Sequence, residues 1–186
     1  MPSIWFTGLS GAGKTTLGKQ IYHWLKESGY SVVFLDGDEL RNGINNDLGF
    51  SEEDRLENVR RVAEINQLLH KEGIVVINCF IAPTNVMRQL IRNIITDDLL
   101  MIYLNPSIET CKARDPKGLY RKAAGGKIRN FTGISAPFEP FTDADLILST
   151  EQPIDFCLSE IKQIVLLKLI DNVTEALNNE SSSGFN

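Results

Sequence analysis

The chain has 186 residues, of which 42% are hydrophobic and 23% charged, with a formal net charge of −5. That is the length and composition of one ordinary globular domain with a sizeable core, and the acidic balance argues against a general binder of nucleic acid or anionic membranes. Three cysteines, Cys79, Cys111 and Cys157, lack C-x-x-C spacing and read as core thiols of a reduced compartment. With no signal peptide and no apolar run able to span a bilayer, the expectation is a soluble cytoplasmic protein.

Taken in order, Ser3–Thr7 reads as a short buried strand and leads into Gly8–Thr16, GLSGAGKTT. Gly8, Gly13, Lys14 and Thr15 fill the fixed places of G-x-x-x-x-G-K-[ST], and a helical pattern follows from Lys14 to about Glu27, the context that defines a P-loop. Gly8, Gly11 and Gly13 let the backbone take positive φ and approach a ligand, so that N–H groups and the helix N-terminus face one polyphosphate. Lys14 is expected to reach the β- and γ-phosphates of ATP, and the Thr15 hydroxyl to hold Mg²⁺.

Continuous apolar runs at Ser31–Leu35, Ile74–Phe80 and Leu99–Leu104, and a weaker one at Ala144–Ser149, lack alternation and suggest strands covered on both faces, as in a parallel sheet. Helical patterns alternate with them: about Glu52–Lys71, with Ser51 as N-cap and three acidic residues in the first turn, then Asn85–Ile95, Ser107–Arg114 and Ile154–Leu177. The predicted fold is α/β, a doubly wound, mainly five-stranded parallel sheet with helices on both faces. One domain is expected over 1–177, with a fraying tail over 178–186. The segment from about 115 to 140 is rich in Gly, Lys, Arg and Pro and reads as a lid. It shares with the end of the preceding helix a concentration of seven cations, Lys112, Arg114, Lys117, Arg121, Lys122, Lys127 and Arg129, suited to a small polyanion.

Ligands of such a sheet bind beyond the carboxyl ends of its strands. Asp36 and Asp38 follow the second strand and read either as an exposed D-G turn or as carboxylates that position Mg²⁺ or accept a proton. Arg55 and Asn58 share one face of the long helix, where Arg55 is either a solvated charge or an anion partner. Phe50 is either a staple against the helix or a stacking face. Phe131 sits in a polar glycine-bearing loop and suits closure over a base, where stacking contributes about 1–3 kcal/mol. His23 and His70 are placed away from any such chemistry.

GLSGAGKTT, LDGDELR at 35–41, DLGFSEEDRLENVRR at 47–61, ARDPKGLYRKA at 113–123 and IRNFTGISAPFE at 128–139 together resemble the adenylylsulfate kinase family. The resemblance implies ATP-dependent phosphorylation of the ribose 3′-hydroxyl of adenosine 5′-phosphosulfate (APS), with Mg²⁺, in a homodimer that binds neither nucleic acid nor membrane. Asp38 then looks like the acid that orients or deprotonates the 3′-hydroxyl, with Lys14 and Asp36 beside it. ATP would meet Gly8, Ser10, Gly11, Ala12, Gly13, Lys14, Thr15, Thr16, Arg114 and Tyr120. APS would meet Asp38, Arg41, Phe50, Arg55, Asn58, Ile81, Ala82, Lys117, Gly118, Leu119, Asn130 and Phe131, its adenine sandwiched by the two phenylalanines. Many family members read F-I-S-P followed by an aromatic and a basic residue. Here Phe80-Ile81-Ala82-Pro83 is followed by Thr84 and Asn85. Ala82 has no hydroxyl to carry a phosphate, so direct transfer from ATP is expected. The rivals are a P-loop kinase acting on another nucleotide-like hydroxyl and a nucleotide-binding module without turnover.

Overall fold

A computed structural model describes residues 1–183 apart from Asp97 and Arg129. The last of the cations counted above, Arg129, and the tail residues 184–186 lie outside the described residues. Five parallel strands, β1 (Ser3–Thr7), β2 (Val32–Asp36), β3 (Val75–Cys79), β4 (Leu99–Leu104) and β5 (Leu146–Leu148), form one sheet in the order β2-β3-β1-β4-β5. The order reverses around β1, as expected of a doubly wound sheet, so the loop after β1 lies at the crevice between the two windings.

The two-residue period of a strand sends alternate side chains to two separate cores. Ile4 and Phe6 of β1, Val75 and Ile77 of β3 and Leu100 and Ile102 of β4 pack with Leu17, Ile21 and Leu25 of α1 (Lys14–Glu27). A terminal helix running Ile154–Ser183 adds Ile161, Val165 and Leu169. On the other face Trp5, Val76 and Met101 meet Val59, Val62 and Ala63 of a long helix Glu52–Lys71, and Met87 and Ile91 of a helix Asn85–Ile94. A buried polar chain crosses that second face: Asn78 Nδ2 donates to Asn66 Oδ1 at 2.6 Å, and Asn66 Nδ2 to Ser3 Oγ at 2.7 Å. These bonds fix the register of the long helix against β1 and β3, because a polar group buried there without a partner costs about 1–3 kcal/mol.

Helix order and capping follow the sequence, with two additions. Asp36-Gly37-Asp38 is not an exposed turn. Asp36 N-caps a short helix α2 (Gly37–Asn42), accepting from the Asp38 N–H at 2.9 Å. Next come α3 (Glu52–Lys71), capped by Ser51 as expected, α4 (Asn85–Ile94), capped by Thr84, and α5 (Ile108–Arg114), capped by Ser107. The basic segment contains a helix of its own, α6 (Leu119–Ala124). The terminal helix α7 runs to Ser183, past the expected end at Leu177. All three cysteines are free and buried.

Gly18 marks how closely α1 lies on the sheet: a Cβ there would stand 2.6 Å from Cys79 Sγ and 3.0 Å from a Phe34 ring carbon. In an open helix Gly→Ala would stabilise by up to about 1 kcal/mol, whereas overpacking costs about 1–3 kcal/mol. Gly18→Ala is therefore expected to lower stability by about 1–2 kcal/mol, read as a reduced urea midpoint at unchanged m value.

Candidate active site

The loop Gly8–Thr16 curls between the end of β1 and α1, with Gly8, Gly11 and Gly13 at φ 144°, 75° and 97°. Its carbonyls are engaged from several directions. Lys14 Nζ donates to Gly8 O at 2.9 Å and Leu9 O at 2.8 Å, the Tyr120 hydroxyl to Ser10 O at 3.0 Å, Arg114 Nη1 to Gly11 O at 3.3 Å, and Thr150 Oγ1 to Ala12 O at 2.9 Å. Arg114 also holds Thr150 through its hydroxyl and carbonyl. The loop is thus braced by α5, α6 and the turn after β5, with Arg114 and Tyr120 at its rim and Thr16 exposed at the start of α1.

Beside it, Thr15 Oγ1 donates to Asp36 Oδ2 at 2.8 Å. A hydroxyl and a carboxylate meeting at the edge of a phosphate loop are hard oxygen donors of the kind Mg²⁺ takes together with phosphate oxygens and water, so these residues fit the ion. Among the described residues no group of three or more His, Cys, Asp or Glu side chains could hold a metal by itself.

Asp36 also positions Asp38 through the cap of α2, and the lid reaches back to meet it: Lys117 Nζ contacts Asp38 Oδ2. Both side chains remain more than half exposed. Lys117 and Gly118 precede α6, whose second and third N–H groups, at Tyr120 and Arg121, are held by the Asp115 carboxylate at 3.1 Å. Leu119 packs against the α1 side of the core, beside the buried Tyr120.

Three residues on from Asp38, Arg41 of α2 donates to Leu48 O and Gly49 O and lies 4.4 Å from the Phe50 ring centroid. Arg55 stands 6.0 Å from the same ring and bridges to the lid, donating to Phe50 O, Thr132 Oγ1 and Asn130 O. Phe50 is 64% exposed and forms the free face of this group. Asn58 is buried, and its Oδ1 accepts from Asn45 Nδ2 at 3.0 Å. Asn130 is exposed at φ 54°.

Of its two readings, Arg55 is not a free solvated charge but ties α3 to the 115–140 segment. One expectation changes. Phe131, expected as a mobile stacking ring, is 8% exposed and set edge-on against Tyr120, with centroids 5.0 Å apart, as part of the core. A sandwich with Phe50 would require Phe131 to leave that packing. Ile81 and Ala82 lie in the loop after β3, where Ile81 O accepts from the Thr7 hydroxyl and Ala82 is buried at φ 39°. Sequence reasoning missed Thr150, whose only signal is its place at the end of a strand, and Arg88, which is buried on α4 against this loop.

A loop that binds polyphosphate, a hydroxyl–carboxylate pair beside it, a second carboxylate within reach of a lid cation and a separate group of arginines across the crevice define a P-loop phosphotransferase. The family model described as Adenylylsulphate kinase matches residues 2–149. Relatives named Adenylyl-sulfate kinase include one from Vibrio parahaemolyticus, 43% identical over 86% of this chain and 81% of the relative. Another, from Bacteroides thetaiotaomicron, is 46% identical over 89% and 84%. The solved APS kinase of Mycobacterium tuberculosis in complex with AMPPNP and APS superposes with a TM-score of 0.85 at 40% identity, covering 88% of this chain and 96% of that one. The chain belongs to the adenylylsulphate kinase family.

Burial of the Lys14 ammonium lowers its pKa to about 8, so the nucleotide-free protein loses this charge as pH rises through that value. A bound triphosphate restores it, and nucleotide binding above pH 8 must then take up a proton. Calorimetry of AMPPNP binding in buffers of different ionisation enthalpy is expected to show net proton uptake that is larger at about pH 8.5 than at about pH 7.5 and is lost in Lys14→Gln.

Proposed function

We infer that the chain transfers the γ-phosphate of ATP to the ribose 3′-hydroxyl of APS, giving 3′-phosphoadenosine 5′-phosphosulfate and ADP in sulfate assimilation. The observation that carries the site assignment is the line Thr15–Asp36–Asp38–Lys117, which joins the phosphate loop, a metal-type oxygen pair, a carboxylate and a lid cation without interruption.

In this reading the N–H groups of Gly8–Thr16 cradle the ATP phosphates, and Lys14 leaves the carbonyls of Gly8 and Leu9 to neutralise the β- and γ-oxygens. Thr15 and Asp36 would hold Mg²⁺, which would supply positive charge against the phosphate oxygens. Asp38 accepts the hydrogen bond of the 3′-hydroxyl and takes its proton as the new O–P bond forms and the bond to the β-phosphate oxygen breaks. Arg41 and Arg55 hold the phosphosulfate and Phe50 stacks on the adenine, with Asn58, Ile81, Ala82 and Asn130 lining the same side. Lys117, Gly118 and Leu119 carry the closing lid, and Phe131 meets APS only on release from Tyr120. Closure excludes water, the competing acceptor.

A second copy of the chain is the proposed partner. Leu166, Leu167 and Ile170 are exposed on α7 and supply apolar surface for one. The cytoplasm is the proposed compartment, since the donor is ATP and the three cysteines are free. No helix among the described residues is long and apolar enough to cross a membrane.

ADP release with Mg²⁺ and ATP is expected with APS, not with AMP or without acceptor, and the product should carry a new 3′-phosphate. Turnover of another acceptor alone would sink the substrate assignment. Asp38→Ala is expected to lower kcat by about 10²-fold or more while leaving AMPPNP affinity within about twofold. Near-normal turnover would remove Asp38 from its role.

A further inference from the structure

Arg88 of α4 is 3% exposed, and its guanidinium lies between two segments that are far apart in sequence. Toward the loop after β3, Nη1 donates to Ala82 O at 3.4 Å and Nη2 to Asn85 Oδ1 at 2.6 Å. Toward the limb by which the lid rejoins the domain, Nη2 donates to Glu139 O at 3.2 Å and Pro140 O at 3.0 Å. The Phe141 and Phe138 ring centroids stand 4.5 and 5.5 Å from the guanidinium carbon. Glu139 closes the same seam, its N–H donating to Pro83 O at 2.9 Å and its carboxylate accepting from the Asn85 N–H.

A buried guanidinium is costly unless its donors are met, and a planar fork that reaches several carbonyls at once is what Arg offers and Lys does not. Arg88 Nε is itself left without a partner. The arrangement therefore carries a cost that core packing alone would not require. What it holds is Ala82 at φ 39°, a conformation an alanine keeps only when its surroundings impose it.

We propose that Arg88 is a positioning residue for the acceptor pocket: it fixes the Ile81–Ala82 wall and fastens the returning limb of the lid to it, so that wall and lid are set as one unit. The proposal rests on the reading of APS as acceptor. It also gives Asn85 a function, since the residue that departs from the family pattern presents its amide oxygen to Arg88.

The test compares the full chain with Arg88→Ala, Arg88→Lys and Asn85→Ala in kcat, in KM for APS and for ATP, and in melting temperature. A displaced pocket wall is expected to raise KM for APS about tenfold or more in Arg88→Ala, a loss of about 1.4 kcal/mol in acceptor binding, with KM for ATP within about twofold. Arg88→Lys should recover part of the loss, and Asn85→Ala should raise KM for APS about threefold, a loss of somewhat under 1 kcal/mol. If Arg88→Ala does not fold, the other two variants decide. Unchanged KM for APS in them, or equal changes for both substrates, overturns the positioning role. A wild-type chain that turns over no APS overturns the acceptor instead, and the seam is then read by trypsin cleavage within 121–127: faster cleavage in Arg88→Lys upholds the lid tie, and an unchanged rate removes it.

Discussion

The close approach of the phosphate loop to the end of β4 and to α5 is the constraint on which the rest of the site depends. A Cβ on Gly8 would lie 2.4 Å from Leu104 O, and one on Gly11 would lie 2.9 Å from Cys111 O. Glycine is therefore needed at both positions by the protein's own packing, quite apart from any ligand. With the loop set that close, Tyr120, Arg114 and Thr150 reach the successive carbonyls of Ser10, Gly11 and Ala12. A triphosphate arriving at such a loop meets a backbone whose negative ends are already engaged, which is the condition for amide-based anion binding.

From that loop the order propagates largely by hydrogen bonds. Thr15 fixes Asp36, Asp36 caps α2, and α2 carries Asp38 and Arg41 toward the far side of the crevice. The helix buries no side chain of its own. Half-buried Leu40 packs against the second core, and the Asp36 cap together with Arg41, tied to the carbonyls of Leu48 and Gly49, sets the rest of its orientation. A cap is worth about 1 kcal/mol. That is enough to orient a single short helix, and small enough for its residues to adjust when a nucleotide is seated.

The same energetics explain what was legible in the sequence. Strands flanked on both faces must be continuous apolar runs, and long helices must carry stripes and caps, so β1 to β5 and α1, α3, α4, α5 and α7 announce themselves. α2 and α6 bury nothing and one side chain respectively, so neither leaves an apolar period to read. Phe131 looked isolated because its partner, Tyr120, lies across a polar segment, and contact between the two arises only when the lid folds back on itself. The phosphate loop was readable because its chemistry is carried by residue types at fixed spacing. The seam around Arg88 was not, since its acceptors are mostly backbone carbonyls, which every residue possesses.

An acidic chain that handles two polyanions has to concentrate its cations, and here concentration sets them against each other. Arg41 and Arg55 flank the single Phe50 ring, and burial followed by the like charge of Arg55 lowers the pKa of Arg41. Neither guanidinium is given a carboxylate by hydrogen bond. Each is held by neutral acceptors, which orient the group without neutralising it. Lys14 is in the same condition, its ammonium held by carbonyls and its pKa lowered by burial. Burial thus disfavours the charged form at Lys14 and at the Arg41–Arg55 pair, and an anion bound at either place offsets that. A ligand with one phosphate cluster relieves only one of them. Relief of both requires two anionic groups, one at the phosphate loop and one at the Arg41–Arg55 pair.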